Sequence, residues 1–526
     1  MSFVSWQYPL LLALVYLLYW RVSQRPRIFV LIAASYYFYA CWDIRFLALI
    51  LSTTCLDYLC GRAIRGEWQS LPRSLGFFFA PAAWLGVCWL VPGIEAISPV
   101  TIAVAAAFGG LVCGTYHWIR QLPENRRPKA VLLLSITVNL LILGFFKYYG
   151  FFVESLDSLL GTLGLSPTLP ILNILLPVGI SFYTFQSLSY SIDVYRGKTE
   201  PCWGLPEYAA YISFFPQLVA GPIERSTSLL PQILTKRSFE TEHLTTGCRL
   251  ILTGYFKKVF VADNCALIAN YAFEPGTDLN GYWAVLGVVA FAFQIYGDFS
   301  GYTDIARGSA RLFGITLQQN FRFPYLAMGP SDFWQRWHIS LSSWFRDYVY
   351  IPLGGNRRGV SRTLINLLLT MGIAGLWHGA SWNFVLWGLY HGVILVLYRV
   401  TPGLRSLEGT ESVPWWKQVA AIPSMFLLTL LGWALFRSYE IAQFENWFAA
   451  LGIWDESAAV EWYRPMKYLL FHTIPLLLLQ AASLRQADEA AFGRFHWVIR
   501  ALIYVGMIIL IAGSPRSDQE FIYFQF

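Results

Sequence analysis

The chain has 526 residues, of which 56% are hydrophobic and 17% aromatic, while only 13% are charged. Soluble domains carry about a quarter charged residues, so this composition excludes an ordinary soluble enzyme and indicates a membrane protein. The net charge of +7 does not indicate nucleic-acid binding, because the lysines and arginines lie in short segments between apolar runs, where the positive-inside rule places them.

Seven apolar runs open the chain and predict membrane-spanning helices. The first, from about Pro9 to Trp20, lacks the basic start and small-residue cleavage site of a signal peptide, so we expect a retained helix. Every second loop is basic and the intervening loops are acidic or neutral, which predicts cytosolic basic loops and an N-terminus outside. The predicted helices end near Trp20, Tyr39, Cys60, Val91, Trp118 and Gly150, and the seventh covers about 171 to 192.

The middle of the chain, residues 207 to 265, combines short apolar pieces with prolines, glycines and basic residues. Such pieces suit re-entrant or interfacial helices on the cytosolic side, because irregular backbone at membrane depth must line protein or a cavity. A spanning helix is predicted at about 281 to 297. The aromatic, amphipathic segment 331 to 350 is too charged to span.

Further helices are predicted near the end of the chain, and the first two form a broken hairpin around His378. The loop 440 to 461 is acidic and is expected outside. The fold class is therefore an all-α polytopic membrane protein with about 12 to 14 transmembrane helices plus re-entrant or interfacial helices. We expect one unit over 1–526, with a core motif region at 130–400 and C-terminal helices with an aromatic tail at 401–526. The closing helices are predicted at about 363 to 378, 382 to 398, 416 to 436, 465 to 483 and 496 to 513.

His378 lies in the segment GLWHGASW, between two apolar runs. An ionisable residue within a membrane segment is costly and therefore a functional candidate. Gly375 and Gly379 remove bulk on either side, so a substrate or another helix can approach closely. Imidazole is the usual group for moving a proton near neutral pH, which makes His378 a candidate base. The alternative is a histidine that only hydrogen-bonds between helices.

His338 lies in the segment FWQRWHISLS, and the two histidines together indicate more than either alone. Acyl transfer to a hydroxyl needs a base for that hydroxyl and a polar group that holds the acyl carbonyl. Two histidines on neighbouring elements can fill these roles. Two histidines without a third ligand are a weak basis for a metal site, so we predict no metal.

The turn IPLGGNRRGVSR carries Arg357 and Arg358. One interpretation is a cytosolic turn that follows the positive-inside rule. The other is a docking surface for an anionic donor such as a coenzyme A phosphate or an acidic carrier protein, to which Arg336 would contribute.

Asp298 and Asp304 lie in QIYGDFSGYTDIARG, at the end of an apolar run. Asp304 and Arg307 are three residues apart and can pair on one helical face. We expect these carboxylates to serve structure or to line a pocket rather than to act in catalysis. Trp337 and Trp377, each directly before a histidine, are further candidates for the pocket lining.

The sequence FIYFQF, which includes Tyr523, follows the polar segment SPRSDQE at the end of the chain. Aromatic residues are common at membrane interfaces, so one interpretation is an interfacial anchor. The other is that a base activates the phenol of Tyr523.

Five segments together resemble the membrane-bound O-acyltransferase family: QRWHISLSSWFRDYVYIPLGGNR, FPQLVAGPIER, GDFSGYTDIARG, GFFKYYGFF and GLWHGASWNFVLWG. The resemblance is to the branch that contains the membrane proteins of alginate O-acetylation and teichoic-acid D-alanylation. It covers roughly residues 130 to 400 in detail and the remainder in its helix pattern. The segment from about 75 to 118 is an addition to the usual family pattern.

The resemblance implies a many-helix fold around a central tunnel that joins the cytosol to the outer face. It implies that His378 matches the essential histidine of the family and His338 the second family position. In the D-alanylation system a small partner peptide carries a terminal aromatic motif similar to FIYFQF, which suggests that Tyr523 receives the acyl group as a relay.

These inferences together predict an O-acetyltransferase of the bacterial inner membrane that has no bound cofactor. Its donor would be acetyl coenzyme A or an acyl-carrying protein, and its acceptor an exported polysaccharide, either alginate-like or another exopolysaccharide. Expected partners are an outer-face acetyltransferase and membrane lipids, with no nucleic acid. The alternatives are transfer of D-alanyl or another acyl group to a cell-wall polymer, transport of a polysaccharide precursor, and a structural subunit of a secretion complex.

Overall fold

A computed structural model describes residues 1–94, 97–165, 169–170, 172, 174–219, 221–407, 413–454, 462–484, 495–515, 519 and 521–524. Within these ranges every regular element is a helix. The chain forms two compact units: unit 1 comprises Met1–Thr245 and Ser309–Leu317, and unit 2 comprises Thr246–Gly308 and Gln318–Phe526. The core motif region expected at 130–400 includes parts of both units, and its boundaries stay a prediction.

Unit 1 is built from the N-terminal apolar runs and the short pieces that follow them. Local signals explain several helix starts: Ser98 accepts hydrogen bonds from the backbone N–H groups of Val100 and Thr101, and Pro99 occupies the first turn of α5. The helices are α1 Gln7–Arg21, α2 Gln24–Ala40, α3 Leu47–Ile64, α4 Leu71–Leu90, α5 Pro99–Ile119, α6 Arg127–Leu143, α7 Tyr149–Thr162, α8 Ile180–Tyr195, α9 Leu205–Ser213, α10 Phe215–Leu218 and α11 Ser226–Leu234.

The core of unit 1 contains a fully buried carboxylate, Asp57 of α3. Ser135 and Asn139 of α6 donate to it at 2.5 and 3.0 Å, and Ser191 of α8 donates at 3.1 Å. A buried carboxylate without donors is expensive, and these neutral donors replace its lost hydration. The polar contacts therefore fix how α3, α6 and α8 pack.

Unit 2 contains most of the later helices and the two candidate histidines. A π-helical segment, Phe256–Ala262, connects α12 and α13 without a break, and a second, Arg346–Tyr350, follows α16. The helices from this point of the chain are α12 Thr241–Tyr255, α13 Asp263–Ala272, α14 Gly281–Leu312, α15 Pro330–Arg336, α16 Ile339–Phe345, α17 Val360–His378, α18 Trp382–Val400, α19 Pro402–Arg405, α20 Trp415–Arg437, α21 Ile441–Ala450, α22 Tyr463–Ser483 and α23 Trp497–Gly513, with a short 3₁₀ turn at Ile522–Phe524.

Two helices are longer than the sequence predicts. The sixth apolar run does not end at Gly150, because α6 continues through the π-helical segment Gly144–Tyr148 into α7 and stops at Thr162. The helix predicted at 281 to 297 extends to Leu312 and takes in Asp298 and Asp304. In both cases the helix continues past charged residues that follow the apolar run.

Eight helices of the described residues are long and apolar enough to cross a membrane. Four further helices, α1, α2, α8 and α23, have 15 to 17 residues, which is shorter than the roughly 20 residues of a typical spanning helix. The expected total of about 12 to 14 spans requires that these shorter helices also cross the membrane. Large apolar side chains point outward, for example Leu10 of α1, which is 60% exposed. Outward apolar faces of this kind suit contact with lipid, and the protein is an all-α, multi-pass membrane protein.

Candidate active site

A tight helical hairpin holds His378. His378 is the last residue of α17, and only three residues separate it from α18. A Cβ atom on Gly375 would lie 2.1 Å from the carbonyl oxygen of Phe384, so the two helix backbones touch at this point. Small residues permit such close approach between membrane helices. The glycines that flank His378 therefore act in helix packing, and the predicted broken hairpin is confirmed.

Both helices of this hairpin carry the same five-residue pattern, GLxHG. It reads Gly375 to Gly379 around His378 on α17, and Gly388 to Gly392 around His391 on α18. A Cβ on Gly388 would lie 2.2 Å from the carbonyl oxygen of Met371, which repeats the contact made by Gly375. His391 is buried, and its ring lies 4.9 Å from that of Trp387 and 5.1 Å from that of Trp334.

His338 is held in a different way, at the joint between α15 and α16. Its backbone has φ 43° and ψ 55°, the left-handed conformation, and its side chain is fully buried. Few residues other than glycine adopt this conformation without strain, although asparagine, aspartate and histidine do so more readily. Asn320 holds the joint: its carbonyl accepts from the N–H of Ile339 at 2.9 Å, and its side-chain oxygen accepts from Ser340 at 3.1 Å.

The C-terminal tail brings Tyr523 to both histidines. The Tyr523 ring lies 5.7 Å from the ring of His378 and 6.4 Å from the ring of His338, between centroids. Phe299 of α14 lies 4.7 Å from Tyr523 and 4.6 Å from His338, which places it against both. The structure thus unites the two histidines and the tyrosine that the sequence singled out separately.

Apolar rings enclose this trio and change its proton affinities. Burial lowers the pKa of His338 to about 3, so its imidazole is neutral across the physiological pH range. Burial raises the pKa of Tyr523 above its usual value, so the phenol is neutral across the physiological pH range. The surrounding rings belong to Phe299, Trp377, Trp387, Phe436 and Phe521.

Asp298 contacts the tail directly and is part of an ion-pair cluster. Its Oδ2 accepts a hydrogen bond from the backbone N–H of Ile522 at 2.7 Å, and its Oδ1 lies 2.8 Å from Nζ of Lys258. Asp263 lies 2.8 Å from the same lysine. Burial alone would lower the pKa of Lys258, but the two carboxylates raise it above the ordinary lysine value, so the ammonium group stays charged.

Asp304 forms a second buried cluster, 2.8 Å from Lys257 and 3.1 Å from Arg307. Pairing with Arg307 on one helical face was predicted, and the structure has it. Trp337 is fully buried against other aromatic rings, 4.8 Å from Trp433 and 5.0 Å from Phe321. Trp377 contacts the ring of His338 at 6.0 Å, and so lies nearer the trio.

Two of the predicted donor-docking arginines lie apart from His378. Arg357 and Arg358 are exposed in the turn before α17, whereas His378 ends the same helix. A helix rises about 1.5 Å per residue, so these 19 residues separate the turn from His378 by roughly 27 Å. Arg336 is bound to Asp332 at 2.6 Å. Among the residues described, no group of three or more potential ligands could hold a metal ion.

Comparison with known proteins identifies the family. A model of the membrane-bound O-acyltransferase family matches residues 200–431. The chain is 36% identical to the probable alginate O-acetylase AlgI of Azotobacter vinelandii over 545 residues, which cover 97% of this chain and 96% of that relative. The chain belongs to the membrane-bound O-acyltransferase family.

Other relatives match only part of the chain. The peptidoglycan O-acetyltransferase of Helicobacter pylori is 36% identical over 307 residues, which cover 53% of this chain and 57% of that protein. The teichoic acid D-alanyltransferase of Bacillus subtilis is 28% identical over 278 residues, which cover 50% and 69%. As a member of the O-acyltransferase family, this protein is an acyltransferase.

Sequence reasoning missed two residues of this candidate site. Lys258 was treated as one of several cytosolic charges, although a Lys-Lys pair inside the apolar segment GYFKKVFVAD signals buried partners. His391 was not considered, although the repeated GLxHG pattern marks it. Both lie on elements that contact the histidine and tail cluster.

Proposed function

We propose that this acyltransferase passes an acetyl group from a cytosolic donor, through Tyr523, toward hydroxyl groups of an exported polysaccharide. The closeness of the Tyr523 ring to both His338 and His378 carries the proposal. A phenol beside two imidazoles, of which one can act as base and the other can hold the carbonyl group, is an arrangement that suits covalent acyl transfer.

The first step loads the tyrosine. The phenolic oxygen of Tyr523 attacks the carbonyl carbon of an acetyl thioester, and His378 takes the phenolic proton as the C–O bond forms. The C–S bond then breaks, and the leaving thiolate takes that proton to become a free thiol. His338 orients the carbonyl of the donor or shares the proton, because a neutral imidazole can both donate and accept a hydrogen bond.

The second step unloads it. A hydroxyl group attacks the acetyl carbonyl of the tyrosyl ester, His378 takes the hydroxyl proton, and the phenol recovers a proton as its C–O bond to the acetyl group breaks. A phenol has an ordinary pKa near 10, far below that of a sugar hydroxyl, so it is the better leaving group and the second transfer runs downhill. The attacking hydroxyl belongs either to the polymer or to an outer-face acetyltransferase partner.

The choice of acetyl over other acyl groups follows the relatives. The O-acetylase and the O-acetyltransferase compared above are each 36% identical to this chain, and the D-alanyltransferase compared above is 28% identical. We place the donor, acetyl coenzyme A or an acyl-carrying protein, on the cytosolic side of a bacterial inner membrane, with the N-terminus outside. The alternation of basic and acidic loops supports this orientation.

The test removes a single oxygen atom. Tyr523→Phe keeps the ring and its packing against Phe299 but deletes the nucleophile, so transfer to polymer should fall at least a hundredfold, and labelled acetyl should no longer appear on the C-terminal peptide. Tyr504→Phe, on α23, is the matched control and should transfer normally. Full transfer by Tyr523→Phe would reject the relay and leave the tail as an anchor.

A further inference from the structure

The C-terminal tail is held in unit 2 by contacts to its backbone, and these contacts come from the two members of one ion pair. Lys258 donates to the carbonyl oxygen of Gln519 at 3.2 Å, and Asp298 accepts from the N–H of Ile522 at 2.7 Å. The lysine and the aspartate lie 2.8 Å apart. One buried ion pair thus binds a donor and an acceptor of the tail three residues apart.

We infer that the Lys258–Asp298 pair is a clamp that positions the tail, and that Asp298 is the positioning residue that sets Tyr523 against the two histidines. This inference rests on the proposed relay for its consequence in catalysis, but the clamp itself rests only on the contacts. Ile522 is next to Tyr523, so a fixed Ile522 backbone leaves the Tyr523 ring few places to go.

Neighbouring contacts complete the clamp. Phe521 is buried, and its ring lies 4.4 Å from the ring of Tyr302, one turn of α14 beyond Asp298. Asn270 donates to the side chain of Gln519 at 3.4 Å and is itself bound by Arg437 at 3.1 Å. The hydrogen bonds to the backbone of Gln519 and Ile522 fix the path of the tail. The contact of the Phe521 ring with Tyr302 adds a requirement for an aromatic side chain at position 521.

The clamp explains why the charged carboxylate of Asp298 is buried. A neutral acceptor such as a carbonyl oxygen would satisfy an N–H, but a carboxylate binds it more strongly, since hydrogen bonds to charged groups are the stronger class. The lysine that neutralises the carboxylate also reaches the tail, so both charges serve the same segment.

The test uses amide hydrogen exchange of the full-length protein in detergent, read on the C-terminal peptide by mass spectrometry. Asp298→Ala leaves Lys258 paired with Asp263, so no orphan charge is buried and the fold should survive. We expect exchange at Ile522 to be about ten to a hundred times faster than in the unchanged protein. Asp298→Asn keeps an acceptor oxygen, so its exchange rate at Ile522 should lie between those of Asp298→Ala and the unchanged protein.

Asp304→Asn is the matched control, because Asp304 lies on the same helix and pairs with the preceding lysine, Lys257, at the same 2.8 Å. It should leave exchange at Ile522 unchanged. Unaltered exchange in Asp298→Ala, or equal acceleration in Asp304→Asn, would overturn the clamp.

Transfer assays separate this inference from the relay. If Asp298 acts through Tyr523, Asp298→Ala should slow transfer, and adding it to Tyr523→Phe should cause no further loss. Additive losses would overturn the positioning role. Full activity in Tyr523→Phe together with fast exchange in Asp298→Ala would reject the relay and retain the clamp.

Discussion

The two histidines of the site are held by different means. His378 ends a 19-residue helix whose glycine face packs directly on the backbone of α18. His338 lies between two seven-residue helices, in a left-handed conformation that Asn320 holds by two hydrogen bonds. The first is positioned by helix packing and the second by local backbone geometry.

Because of this difference, positions 378 and 338 tolerate different substitutions. The position of His378 depends on the small residues around it, and any side chain there would point to the same place. The position of His338 depends on the residue itself, because most side chains resist its backbone angles. Substitutions at the two sites should therefore fail for different reasons, and the experiments below test that contrast.

The largest effect is expected at His378. Because we assign it as the principal base, His378→Ala should lower transfer by about a thousandfold or more, within the range that general bases contribute. Membrane insertion should stay normal, although the cavity left by the buried ring should lower thermal stability in detergent. His391→Ala, on the equivalent position of α18, is the comparison. Retained polymer acetylation in His378→Ala would remove the assignment.

A smaller loss is expected at His338, and asparagine is the informative replacement. His338→Asn tolerates the left-handed backbone, so it removes the imidazole with little strain, and transfer should fall about a hundredfold. His338→Leu should lose stability as well, since it must strain the joint. Equal stability of the two variants would show that the conformation at 338 matters little.

The pH profile gives a second measurement at the same residue. With its pKa lowered to about 3 by burial, His338 stays neutral as pH falls from 8 to 5. The acid limb of the rate profile must then come from another group, and His338→Asn should keep the same apparent pKa at lower rate. A shifted acid limb in His338→Asn would show that the imidazole titrates in this range.

Much of the fold can be predicted from the lengths of the apolar runs in the sequence. The runs that end at Arg21, Ala40, Ile64, Leu90 and Ile119 are predicted within about four residues, because a chain in lipid must satisfy its backbone within the helix. The prediction fails where a helix continues past the charged residues that follow its apolar run. Asp298 and Asp304 continue α14 because Lys257 and Lys258, about forty residues earlier, neutralise them, and no local pattern reveals such distant pairing.

The site was predictable in parts but not as a whole. His378 and His338 stand out as ionisable residues among apolar ones, and Tyr523 as a phenol in a terminal aromatic motif. The proximity of Tyr523 to both histidines follows only from the path of the tail, which the sequence leaves open. The role of Lys258 also depends on tertiary contacts, so the charge was visible but its partners were not.

The glycine packing behind His378 can be tested without touching a histidine. At Gly375 an added methyl group would meet the backbone of Phe384, and such overpacking costs about 1–3 kcal/mol, so Gly375→Ala should lower stability and reduce transfer several-fold. At Gly372, one turn earlier, the nearest atom is Cδ2 of Leu389 at 3.4 Å. Gly372→Ala should gain helix propensity and be neutral or stabilising. Matching effects would mean that the close contact does not position His378.

The smallest effect is expected at the basic turn, which lies a helix length from the histidines. If Arg357 and Arg358 dock an anionic donor, it must extend over roughly 27 Å to reach His378, so the arginines act in binding rather than chemistry. Replacing both by glutamine should raise KM for acetyl coenzyme A by up to about tenfold, most clearly at low salt, and leave kcat unchanged. Arg126→Gln removes an exposed charge from unit 1 as the control. If KM is unchanged at every ionic strength, Arg357 and Arg358 do not bind the donor. The positive-inside rule then explains their charges, because it places basic residues in cytosolic loops without any ligand.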